Sequence, residues 1–142
     1  RINAAPEISS MFASIPLLII SFVLYNLAAV LSGAGANPLG AEMFSMTMMS
    51  GGRFALTTGD LLIVLSLVLL FVEILKSTRS SNASVADHML STGVFILFLV
   101  EFLLVPAAAT SVFFILMAMA LIDVVAGFTV SIRSAGRDVT WN

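Results

Sequence analysis

Residues 58–76 read TGDLLIVLSLVLLFVEILK, and this stretch decides the fold. Every position from Leu61 to Val72 is Leu, Ile, Val or Phe except Ser66. About 20 such residues in a helix cross the roughly 30 Å of bilayer hydrocarbon. Thr57 or Thr58 can cap the helix start by accepting a hydrogen bond from a free backbone N–H. Three further stretches pass the same test. The four spans expected are residues 11–32, 58–76, 87–105 and 107–132. Pro16 falls in the opening turn of the first, where proline is tolerated. Pro106 ends the third, and only residues 106–110 separate it from the fourth. Those two helices form a tight antiparallel hairpin.

The composition agrees with these spans. Of 142 residues, 60% are apolar and only 10% are charged, and the mean hydropathy is +1.13. A soluble domain of this size could not bury so much apolar surface. The expected fold is an all-α polytopic integral membrane protein, with four transmembrane helices in one small bundle. The chain reads as a single transmembrane domain, with a segment at 33–57 on one side and a polar loop at 77–86 on the other. The net charge of −2 carries no basic block, so no nucleic-acid partner is expected. The absence of cysteine rules out disulfides and thiol chemistry.

Orientation comes from the basic residues. Lys76, Arg79, Arg133, Arg137 and Arg1 fall on one side, and only Arg53 falls on the other. The cytoplasmic side holds the majority, so both termini are expected there. The expected location is a bacterial inner (cytoplasmic) membrane. Trp141 beside Arg137 reads as an interface anchor. The 33–57 segment is Gly-rich, yet residues 42–49 are apolar. It reads as a short interfacial or re-entrant piece, whose backbone polar groups need protein or water around them.

Three acids fall inside spans: Glu73, Glu101 and Asp123. Each costs a few kcal/mol to place deep in the bilayer and rarely faces lipid. Lys76 lies three residues beyond Glu73 on one helix face, and Arg133 is a second candidate partner. Glu101 has no basic group obviously within reach. It could approach Asp123 across the hairpin, at an axial offset of roughly 9 Å given 1.5 Å per residue. These acids serve either as polar contacts between helices or as a path for protons or cations. A short match between residues 70–75 and 98–103 would be an inverted repeat, or chance between Leu-, Val- and Phe-rich segments.

Small and polar residues recur along the helices. Gly59, Ser66 and Glu73 repeat every seven residues. Ser14, Ser21 and Ala28 do the same, and Ala120, Asp123 and Gly127 share one face. Such seams let helix backbones approach closely in membranes. Met43, Met46, Met48 and Met49 cluster outside the spans. Thioethers favour Cu(I), which makes them a weak metal candidate against the ordinary role of methionine as apolar filler. No other cofactor is implied. The single histidine, His88, starts the third span beside Asp87. No serine nucleophile has a base nearby, and there is no phosphate loop or HExxH, so no enzyme activity is expected. The functional expectation is a non-catalytic accessory or scaffolding subunit, in contact with the lipid bilayer and with other membrane subunits or copies of itself. The alternative is a small proton or cation carrier, with copper handling as a minor one.

Overall fold

The computed structural model describes residues 15–37, 39–78 and 84–140, with the side chains of 84, 85, 131 and 134–140 outside that description. Among the described residues four helices form the bundle: α1 (Leu18–Ser32), α2 (Thr58–Ser77), α3 (Ser84–Leu104) and α4 (Ser111–Thr140). Helices α2, α3 and α4 contain apolar stretches long enough to cross a membrane, and α1 is a shorter apolar helix. Helix α4 packs against the other three. The helices alternate in direction. The start of α1, the end of α2 and the start of α3 gather at one end of the bundle with the later turns of α4. The end of α1 meets the start of α4 at the other end.

Several boundaries differ from the sequence reading. The described part of the first span is helical only from Leu18, because Pro16 and Leu17 form the entry turn. Residues 11–14 lie outside the described part, as do Arg1, Arg79 and Trp141. Helix α3 begins at Ser84, three residues before Asp87, and α2 runs on to Ser77. A 3₁₀ turn at Pro106–Ala108 separates α3 from α4, which starts at Ser111 and continues to Thr140.

The main departure from an all-α fold is the 33–57 segment. It contains an antiparallel β-hairpin, β1 (Glu42–Thr47) and β2 (Arg53–Thr57). Every residue of β1 is exposed, so this strand is not tucked into the bundle. Its turn closes through Met48 N–H to the Gly52 carbonyl (2.8 Å) and Gly51 N–H to the Met48 carbonyl (2.9 Å). Gly51 takes a φ of 84°, which a residue with a Cβ rarely adopts.

Strand β2 runs into α2 without a linker. Thr57 is the N-cap, and its side chain accepts from the Asp60 N–H at 3.2 Å. The Asp60 carboxylate accepts from the Thr57 N–H at 2.9 Å. This reciprocal arrangement satisfies two backbone donors. The next donors, Thr58 N–H and Gly59 N–H, reach the carbonyls of Ala41 and Leu39, each at 2.9 Å. Leu39 is thereby held in the core beside Gly59. A Cβ at Gly59 would lie 2.9 Å from a Val112 methyl and 3.2 Å from the Leu39 carbonyl oxygen. That oxygen is fixed by the bond it accepts. Gly59→Ala is therefore expected to destabilise the bundle by about 1–3 kcal/mol. A denaturant titration in detergent checks this. An unchanged midpoint would mean that the α2–α4 contact yields without cost.

Candidate functional site

The buried polar groups concentrate on α1 and at one end of the bundle. Helix α1 carries a row of them at Leu17, Ser21 and Tyr25, each four residues from the last and so on one face. Glu73 of α2 accepts from the Leu17 N–H at 2.5 Å, satisfying a donor at the start of α1. Lys76 pairs with Glu73 at 3.4 Å and donates to the Ile15 carbonyl at 3.0 Å. The carboxylate and the ammonium thus grip both sides of one backbone turn. Arg133 is exposed, and among the described residues the ion pair of Glu73 is with Lys76.

One turn on, Ser21 and Ser66 lie 2.7 Å apart, both fully buried. Ser66 spends its single proton on the Leu62 carbonyl, so Ser21 is the donor between them. Another turn on, the Tyr25 hydroxyl donates to the Ala107 carbonyl at 2.7 Å and lies 2.7 Å from the Thr110 hydroxyl. Thr110 in turn accepts from the Phe113 N–H at 3.2 Å, capping α4. Tyr25 therefore ties α1 to the α3–α4 turn.

Glu101 has a partner that the sequence reading did not assign. Its carboxylate accepts from the Asn26 side-chain amide at 3.1 Å. Asn26 lies within a mostly apolar helix, and the cost of its amide there is the available signal. Glu101 and Asp123 are not brought together. Asp123 and Ser91 line a cleft with Glu73, Lys76, Asp87 and His88. The cleft volume is about 20 Å³, room for roughly one water. One Asp87 carboxylate oxygen is buried and has no hydrogen-bond partner among the described residues. The His88 ring stacks on Phe128 at 5.6 Å. It also sits so close to Gly127 that a Cβ there would lie 2.5 Å from the ring.

The chain matches no protein family. Comparisons with curated proteins and with solved structures also return no match. What the site can do must come from its own geometry. Among the described residues, no three His, Cys, Asp or Glu side chains are placed to hold a metal ion.

Gly59, Ser66, Ala120 and Gly127 are buried between helices, and Ser21 with them. Ser14 lies outside the described residues. Met43 sits at a bulge in β1, Met46 on one face of the hairpin, and Met48 and Met49 at its turn. All four are exposed. Between the cleft and the Glu101–Asn26 pair lie Phe98 of α3 and Leu116 of α4, each 0% exposed, with Phe113 and Tyr25 packed beside Phe98 toward Thr110. Tyr25 and Phe98 both contact the Phe113 ring, at centroid distances of 4.8 and 5.3 Å. This apolar layer has no polar side chain running through it along α3 or α4. In α3, Phe98 separates Ser91 from Glu101, and in α4, Phe113 and Leu116 separate Thr110 from Asp123.

Proposed function

We propose that this chain is a non-catalytic integral membrane subunit that packs, through α3, against a larger membrane complex or another copy of itself. Gly93 carries this reading. It lies in the middle of α3, where glycine costs about 1 kcal/mol relative to alanine. Among the described residues, and its own helix backbone aside, nothing lies within 4 Å of where its Cβ would be. No contact among the described residues accounts for that cost. Met89, Ile96, Leu97 and Val100 flank it and are exposed. Helix α3 is also the least enclosed span, 11% buried against 28% for α2 and 33% for α4. A shallow groove of this kind lets a partner helix approach closely in lipid. The membrane is the bacterial cytoplasmic membrane, with both termini inside, on the strength of the five-to-one division of basic residues.

The carrier reading has less support. Glu73 and Glu101 are engaged inside the bundle, and the buried apolar side chains of Phe98 and Leu116 lie between Asp123 and Glu101. Gentle extraction from native membranes, followed by native sizing and identification of co-migrating chains, tests the proposal. A stoichiometric partner, or a defined homo-oligomer, is expected. Gly93→Leu should abolish that association and leave the melting of the bundle unchanged, since the side chain enters open space. A monomeric parent would overturn the reading. So would a reconstituted proton or cation flux abolished by Glu101→Gln or Asp123→Asn.

A further inference from the structure

The hairpin has two chemically distinct faces. Directly paired residues on antiparallel strands share a face. Phe44 pairs with Leu56 and Met46 with Phe54, placing four apolar side chains together. Ser45 pairs with Ala55 and Thr47 with Arg53 on the other face. Strict alternation would put Glu42 on the apolar face with Phe44 and Met46. The irregularity between Glu42 and Phe44 shifts it by one position, so Glu42 pairs with Thr57. A bulge of this kind re-aims the residues beyond it. Glu42 then joins Arg53 on the polar face, where the two form an ion pair at 2.6 Å. No charge remains among residues 43–52.

The apolar face is uncovered. Phe44, Met46 and Phe54 are 50%, 48% and 43% exposed. A lone two-stranded hairpin is marginal in water, so this one needs a surface. Its position indicates which. Strand β2 is continuous with the membrane-capable helix α2, and Leu39 anchors the other side in the bundle core. The hairpin therefore starts where the apolar surface of the bundle ends. The area on offer is on the order of 350 Å², under half of the ~800 Å² per partner in a standard stable protein interface. Both strands also leave outer backbone groups unpaired, which excludes the hydrocarbon interior but not the hydrated headgroup layer.

We propose that the hairpin is a lipid-interface anchor. It lies flat at the bilayer boundary with Phe44, Met46, Phe54 and Leu56 in the acyl region and Glu42, Ser45, Thr47 and Arg53 facing water. This proposal is independent of any contact made by α3. The cysteine-free sequence makes the test direct. Single substitutions Phe44→Cys, Ser45→Cys, Met46→Cys, Thr47→Cys, Phe54→Cys and Ala55→Cys in the full chain are spin-labelled. Each is then reconstituted in vesicles of phosphatidylcholine and phosphatidylglycerol. Collisions with membrane-soluble oxygen should dominate at 44, 46 and 54. Collisions with a water-soluble nickel chelate should dominate at 45, 47 and 55. The same alternation should persist at high and low protein-to-lipid ratios. Equal water access on both faces overturns the proposal. Protection that vanishes on dilution in lipid also overturns it, because a second protein copy is then the cover. The unsubstituted chain supplies an independent measurement. A photoactivatable lipid should leave adducts on Phe44, Met46 or Phe54, and their absence counts against the anchor.

Discussion

Tyr25→Ala is expected to destabilise the bundle by about 3–5 kcal/mol, the range for deleting a fully buried aromatic side chain. Two effects add. The ring leaves the cluster with Phe113, and the cavity is lined by groups held by other contacts. The Ala107 carbonyl and the Thr110 hydroxyl also lose their shared partner. Tyr25→Phe separates the two. It keeps the ring and removes only the hydroxyl, so a loss of about 1–2 kcal/mol is expected. Reversible unfolding in mixed detergent micelles measures both variants. Equal losses would mean that the hydroxyl carries the whole effect and the ring packing carries none.

Glu73→Ala is expected to cost about 2–3 kcal/mol, within the range for removing a charged hydrogen-bond partner from a largely buried group. The change leaves the Leu17 N–H without its acceptor and Lys76 without its counter-charge. The loss stays below that of a fully enclosed pair because Lys76 keeps part of its hydration; its side chain is 23% exposed. Glu73→Gln retains an oxygen for the Leu17 N–H and should lose about 1 kcal/mol. The same unfolding measurement applies. Loss of the contact between α1 and α2 can be followed by crosslinking cysteines placed at Ile15 and Ser77. If Glu73→Ala unfolds like the parent, the grip on α1 is an incidental contact.

Much of the fold is legible in the sequence, and for identifiable reasons. A span such as 58–76 needs only length and apolar content, and Thr57 with Asp60 is a recognisable start. The tight connection at Pro106 forces α3 and α4 to be neighbours. The hairpin is hard to read because half of its apolar residues are methionine and its segment opens with glycines. Both features suggest loose interfacial chain. The alternation of Phe44 and Met46 with Ser45 and Thr47, followed by Ser50-Gly51-Gly52, was the signal. Among the acids, Glu73 was placed by its spacing to Lys76. The partner of Glu101 is not legible from charge, because the Asn26 amide pairs with the carboxylate without carrying one. The approach of His88 to Gly127 depends on how two antiparallel helices are rotated about their axes, which residue spacing does not specify.

The polar ladder along α1 also determines how that helix can move. Its contacts at Leu17, Ser21 and Tyr25 recur every turn, but each partner is chemically different: a carboxylate, a hydroxyl and a carbonyl. Sliding α1 by one turn, about 5.4 Å, would break all three at once, and the donors differ in reach: a backbone N–H, a short serine hydroxyl and a long tyrosine hydroxyl do not fit one another's acceptors. Piston-like displacement is therefore opposed by mismatch of donor length at every rung. Helix α1 has one depth in the bundle, and it leaves that depth only by coming away whole. Any message passed from the hairpin to the opposite end of the bundle would travel as detachment of α1, and not as a graded shift along its axis.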